Sequence, residues 1–361
     1  MPDKIKIVIV AGARPNFVKI APLLREMKRY PRRIIQVLIH TGQHYDFEMS
    51  QVFFQELKIP KPDYNLGVGS GSHAWQTAKI MERLEPVILK EKPSLVIVVG
   101  DVNSTLAGAL TASKLHISVA HIEAGPRTYD KDMPEEINRL LVDHISDFLF
   151  CPTKTAAENL KQEGVKKGIY NVGDIMYDIF LKHIKVVKKK PKILKKLKLK
   201  PKSYFLLTLH RPQNVDNLEN LKNILEVIQE SKEEVVFPVH PRTKKQLKKL
   251  KIDKFRNLRI VEPVGYMDML ILEKNAKKIL TDSGGVQKEA YWSKVPCITL
   301  MEDTGWPETV KDGWNILIGA NKEKIIKAII NFRPPKSQHK YFGDGRSVKK
   351  IIKILIKSKQ K

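Results

Sequence analysis

The sequence predicts an α/β protein built from two doubly wound, parallel-sheet domains. Three observations carry that expectation. Short, continuously apolar, β-branched runs alternate with amphipathic helical stretches along the chain, as expected of strands buried on both faces and joined by crossover helices. The alternation pauses once, in a lysine-dominated stretch from Lys182 to Lys202 broken by Pro191 and Pro201, and then restarts. The length of 361 residues suits two domains at roughly 150 residues each.

In the first half, Lys6–Val10, Ile34–Ile39, Leu95–Val99, Val119–Ile122 and Phe148–Cys151 read as strands. Between the first two, Phe17–Tyr30 places apolar residues at 17, 20, 23, 24 and 27, one face of a helix. In the second half the strands are Tyr204–Leu209, Val235–Val239, Leu258–Val261, Lys278–Leu280 and Cys297–Leu300. The hinge is expected near 175–200, giving domains 1–180 and 181–340. Residues 341–361 hold a last helix, from Arg346 to about Ser358, that could pack back on the first domain.

Composition narrows the function classes. With 42% apolar and 29% charged residues, wholesale disorder and fibrous repeats are excluded. No apolar run approaches the roughly 18 residues of a membrane span. Met1 to Val10 passes straight into a strand-like run without a cleavage-site pattern, so a cytoplasmic location is expected. Cys151 and Cys297 are too few for a disulfide framework, and no His/Cys/Asp/Glu spacing suggests a metal. The net charge of +26 would suit nucleic acid. Much of the excess is the local lysine stretch, however, and no aromatic residue interleaves it to stack bases, so a solvated helix and linker is the better reading.

Ligands in doubly wound sheets bind beyond the carboxyl ends of the strands. The polar residues there are Arg14, Asp101, Glu123, His210, His240 and Ser283. Thr281-Asp282-Ser283-Gly284-Gly285 opens a helix, with Ser283 as the expected N-cap and the glycines leaving backbone N–H groups open to a phosphate. Glu289, one turn after Gly285, could take two ribose hydroxyls. Arg14 can fork onto a phosphate, with Lys19 adding a point charge. Asp101 and Glu123 end strands that would be neighbours. Pro134 starts a helix that places Glu135 and Arg139 on one face, where an ordinary i,i+4 ion pair is the simpler reading. Carboxylates and arginines converging on a crevice nevertheless suit proton transfer. Gly67-Val68-Gly69-Ser70-Gly71 follows no convincing strand and lacks dinucleotide spacing, so no NAD is expected.

These residues fall in longer segments that resemble the non-hydrolysing UDP-N-acetylglucosamine 2-epimerases. The matching segments are GARPNFVKIAP from Gly12, TGQHYDFEM from Thr41, GDVNST from Gly100, HIEAGPRT from His121 and PEEINR from Pro134. LHRPQN from Leu209, FPVHPRT from Phe237, TDSGGVQKEA from Thr281 and YFGDGRS from Tyr341 continue them in family order over nearly the whole chain.

The resemblance implies a GT-B architecture of two Rossmann-like domains facing a cleft, and a homodimer serving surface-polysaccharide precursor synthesis. It implies that Arg14, Lys19, His210, Ser283, Gly284 and Gly285 hold a diphosphate, Glu289 the ribose and Met269 the uracil. It places Asp101, Glu123 and Glu135 on acid/base positions with Arg139 nearby, and leaves open whether His210 transfers a proton. The implied reaction is reversible conversion of UDP-GlcNAc to UDP-ManNAc by loss of UDP to 2-acetamidoglucal and re-addition, with no cofactor. The alternatives are a hydrolysing epimerase releasing ManNAc and UDP, and a GT-B glycosyltransferase. Two departures stand out: Met301 and Trp306 replace arginines of the usual R-x-x-T-E-R-P-E, and Arg211 is followed by Pro212-Gln213-Asn214 instead of Arg-Glu-Asn. Gln43 and His44 match positions that in bacterial members help bind a second, activating UDP-GlcNAc.

Overall fold

The computed structural model describes residues 4–43, 54, 58–187, 192–250 and 255–358. The chain divides into two compact units, Met1–Ile179 with Lys340–Lys361, and Phe180–His339. The first unit holds β1 (Ile5–Ala11), β2 (Ile34–His40), β3 (Tyr64–Asn65), β4 (Leu95–Val99), β5 (Ser118–Ile122), β6 (Phe148–Cys151) and β7 (Ile169–Asn171). They form one sheet in the order β3-β2-β1-β4-β5-β6-β7, every pair parallel. The second unit holds β8 (Phe205–Thr208), β9 (Val235–Pro238), β10 (Leu258–Val261), β11 (Lys278–Thr281), β12 (Cys297–Thr299) and β13 (Asn315–Leu317), in the order β10-β9-β8-β11-β12-β13, again all parallel.

Each sheet reverses its direction of growth once, at β1/β4 in the first unit and at β8/β11 in the second. Such a switch point opens a crevice at the strand ends, where loops part to opposite faces. The continuously apolar strands are buried because helices cover both faces; all five residues of β4 are buried.

Three short strands were not legible in the sequence. β3, β7 and β13 are two or three residues long and carry Asn65, Asn171 and Asn315, so they lack an apolar run to betray them. β3 also corrects one reading: the glycine-rich loop from Gly67 does follow a strand, though a brief edge one. The first helix begins at Arg14, not Phe17, because Pro15 fits a helix's first turn, and it ends at Met27. The lysine-rich stretch contains the end of helix Ile175–Val187 and the short helix Lys192–Lys196.

The last helix, Ser347–Ser358, belongs to the first unit and packs on the helix Arg14–Met27. It buries Val348, Ile351, Ile352 and Leu355. Its free amides are met from far along the chain, since the Asp178 carboxylate accepts from Ser347 N at 3.1 Å and Val348 N at 3.0 Å. No helix among the described residues is long and apolar enough to cross a membrane.

Candidate active site

In the first unit, register decides which side chains meet. Val99 at the end of β4 lies opposite Ile122 at the end of β5. Asp101 and Glu123 therefore leave neighbouring strand ends, beside the β1/β4 switch point. Gly100 has φ +69 and Glu123 φ +74, the left-handed region, which costs a non-glycine residue about 1–2 kcal/mol. Backbone bonds hold Glu123 there: its amide donates to the Phe150 carbonyl at 3.1 Å, and Ala124 N does so at 3.2 Å.

Each carboxylate faces a cation. Lys19 Nζ forms an ion pair with Glu123 Oε2, both side chains nearly buried. Lys19 thus meets a carboxylate of its own unit, a contact the sequence reading did not anticipate. A Cβ at Gly100 would lie 3.0 Å from the same ammonium, so this turn needs glycine for space as well as for its backbone angle. Arg139 Nη1 is 2.6 Å from Asp101 Oδ2, and Nη2 is 2.6 Å from Glu136 Oε2. Burial pulls the guanidinium's affinity for its proton down, but Asp101 and Glu136 more than offset it and raise it above the usual value. Glu135, half-buried in the first turn of the helix Pro134–Ile145, adds its charge to that field. The arginine is thus shared by Asp101 and Glu136, and Glu136 was missed because a buried carboxylate in a helix looks, in sequence, like any surface Glu.

Behind these turns lies a buried network. His121 Nδ1–H donates to Asp143 Oδ1 at 2.6 Å, and Nε2–H donates to the Gly100 carbonyl at 2.8 Å. Arg127 pairs with Asp143 at 2.7 Å and with both Glu163 oxygens at 2.7 Å. Burial would raise the Asp143 carboxyl, but His121 and Arg127 hold it below the usual carboxylate range.

In the second unit, Thr281 pairs with Thr208, so Asp282 and His210 emerge side by side at the β8/β11 switch point. Asp282, fully buried, accepts from the amides of His210 at 3.1 Å and Arg211 at 3.0 Å, and its Oδ1 is 3.2 Å from His210 Nδ1. Burial alone would raise its carboxyl; the His210 ring and these amides bring it below the usual range. His210 is thereby oriented by its own strand end and stays partly exposed. His240 uses Nδ1 to accept the Arg242 amide at 3.3 Å, capping the helix Pro241–Leu247, and its ring lies 5.9 Å from that of His210.

Ser283 stands at the N-cap of helix Gly284–Ser293, but its hydroxyl makes no capping bond; its amide donates to Thr281 Oγ1 at 2.9 Å. That corrects the expected cap and leaves the first-turn amides of Gly284 and Gly285 without a side-chain acceptor. Gly285 is exposed, and a Cβ there would meet only Ser283 Oγ at 3.8 Å. At Gly284 a Cβ would come within 3.1 Å of Trp306 Nε1. Lys288 Nζ sits 3.7 Å from the centroid of the same indole, so a buried ammonium stands beside the Trp306 departure. Glu289 is buried near Glu273, a fully buried glutamate on helix Tyr266–Asn275. Burial, then the Glu289 charge, keeps Glu273 protonated well above the usual carboxylate range. Met269 is half-buried on that helix.

The Arg14 side chain and His44 lie outside the described residues. Gln43 is described and buried, its Oε1 accepting from Ser104 Oγ at 2.6 Å. Among the described residues no group of His, Cys, Asp and Glu is arranged to hold a metal ion.

Two parallel-sheet units with interleaved helices, each carrying polar side chains at its switch point, define an α/β protein of the GT-B class. A sequence profile described as UDP-N-acetylglucosamine 2-epimerase matches residues 25–356. A Methanococcus maripaludis protein named UDP-N-acetylglucosamine 2-epimerase homolog is 56% identical over 356 residues, covering 97% of this chain and 99% of that one. The crystal structure of the Methanocaldococcus jannaschii UDP-GlcNAc 2-epimerase, in complex with UDP-GlcNAc and UDP, matches with a TM-score of 0.90 at 48% identity, covering 98% of this chain and 99% of that one. A UDP-2,3-diacetamido-2,3-dideoxy-D-glucuronate 2-epimerase from Pseudomonas aeruginosa is 41% identical over 361 residues, covering 98% and 99%. The chain belongs to the UDP-N-acetylglucosamine 2-epimerase family.

Proposed function

We propose that the protein interconverts UDP-N-acetylglucosamine and UDP-N-acetylmannosamine without hydrolysis, by elimination and re-addition of UDP. The C2 hydrogen of the sugar is not next to a carbonyl, so direct deprotonation is prohibitively costly. An elimination avoids that carbanion: a carboxylate takes the C2 proton while the C1–O bond to UDP breaks, and the electron pair forms the C1=C2 bond of 2-acetamidoglucal. A proton then returns to C2 on the opposite face and a UDP oxygen re-attacks C1.

The single observation that carries this reading is the pairing of Asp101 and Glu123 on neighbouring strand ends, each beside a cation. Two acid/base groups meet the stereochemical demand of one proton transfer on each face. In this reading Glu135 is the third carboxylate, and Arg139 balances charge. The amides of Gly284 and Gly285 at the Ser283 turn, with His210 and the cations Arg14 and Lys19, stabilise the departing diphosphate. Glu289 takes the ribose and Met269 the uracil. Lys19 beside Glu123 would serve both the carboxylate and the phosphate. The likeness to relatives named for UDP-GlcNAc supports this substrate.

The test is proton NMR of the reaction of UDP-GlcNAc in deuterated water. The expected product is UDP-ManNAc carrying deuterium at C2. Retention of the original C2 proton would falsify the elimination route. Stoichiometric free ManNAc would instead favour the hydrolysing epimerase, the reading that Met301 and Trp306 in place of arginines motivates.

A further inference from the structure

Asp143 is linked to both carboxylate-bearing turns, to one directly and to the other through His121. Its Oδ2 accepts the Gly125 amide at 3.1 Å, two residues after Glu123. Its Oδ1 takes the His121 Nδ1–H, and the opposite nitrogen of that ring holds the carbonyl of Gly100, the residue before Asp101. Both ring nitrogens are thus engaged by oxygens, one from the Asp143 carboxylate and one from the Gly100 carbonyl. Arg127, gripped by both oxygens of Glu163, pairs with the same Asp143 carboxylate. His121 and Asp143 have no exposed side-chain surface and cannot touch a substrate.

Both turns they hold have left-handed backbones, at Gly100 and, without glycine's freedom, at Glu123. Such conformations persist only where the surroundings over-determine them. We infer that His121 and Asp143 are positioning residues for the proposed reaction: they lock the Gly100 turn against the Glu123–Gly125 turn and so set Asp101 and Glu123 relative to each other. The inference rests on the epimerase reading. It separates two demands, because most of the proposed nucleotide contacts (His210, Ser283, Gly284, Gly285, Met269 and Glu289) lie in the second unit, whereas carboxylate geometry depends on this network.

The experiment compares wild type with His121→Gln, His121→Leu and the isosteric Asp143→Asn, reading kcat, KM, UDP affinity by calorimetry and thermal unfolding. A misplacement of about 1 Å can cost about 100-fold in rate. His121→Leu and Asp143→Asn are expected to lose about 100-fold or more in kcat while UDP affinity stays within about twofold. His121→Gln, whose amide can still donate to the Gly100 carbonyl, should recover part of that loss. Full kcat in folded His121→Leu or Asp143→Asn overturns the inference. So does a parallel fall of kcat, UDP affinity and melting temperature with no advantage for Gln over Leu, which is the mark of a merely structural role. A wild-type enzyme that leaves UDP-GlcNAc unchanged overturns the epimerase reading itself, an outcome distinct from a competent wild type with indifferent variants.

Discussion

Glu123 combines three features that rarely coincide in an ordinary surface glutamate: a left-handed backbone, near burial and a lysine from the helix Arg14–Met27 against its carboxylate. Strain retained at a strand end is an argument for use, since a glycine would relieve it. We expect Asp101→Asn, Glu123→Gln and Glu135→Gln each to lower kcat by about 100-fold or more, the usual worth of a positioned acid or base. UDP affinity should survive in all three, and wild-type turnover in any one would strike it from the catalytic set. Glu273 makes a separate prediction about stability. Folding raises its carboxyl above the unfolded value, so its contribution is full below about pH 4.3 and is lost as pH climbs through the folded value. Glu273→Gln should therefore melt like wild type near pH 4 and above it near pH 8. A melting difference that does not change with pH would contradict the assignment.

At the scale of elements, the helix Gly284–Ser293 shows what a motif can and cannot say. The Ser-Gly-Gly sequence marked a helix start after a strand, and the structure has one there. The hydroxyl of Ser283 makes no capping bond, and the Ser283 amide donates to Thr281 Oγ1. Gly285 now separates two readings of the turn. Alanine fits without clash and favours a helix by up to about 1 kcal/mol, so Gly285→Ala should raise the melting temperature by a few degrees. If a diphosphate lies on these amides, the same methyl should weaken UDP binding about tenfold in calorimetry; unchanged affinity would remove the glycines from the site. The strands were legible wherever four or more apolar residues ran together. They were illegible where an edge strand was two or three residues long, since edge pairing needs no apolar face.

At the scale of the molecule, the last helix is decisive. Its lysines and isoleucines describe an amphipathic helix but not its partner, and only the structure joins it to the first unit, with Asp178 at its N-terminus. Burial of Ile351, Ile352 and Leu355 is worth about 2 kcal/mol each. Truncation before Arg346 is therefore expected to lower the melting of the first unit by well over 10 °C, while the second unit still binds UDP. Unaltered calorimetric unfolding would show the helix to be dispensable.

The sequence by itself determined the alternation of strands and helices, the two-unit division of an α/β chain and the polar residues that follow each strand. Those properties are local: a run of β-branched residues, a helical period or a glycine turn is written within ten residues. Tertiary structure decided the partners. Lys19 finds Glu123, Arg139 reaches Asp101, and Asp143 ties two turns through His121. Their meeting depends on strand order and register, which put Val99 opposite Ile122, and no local pattern encodes a contact between residues so far apart along the chain.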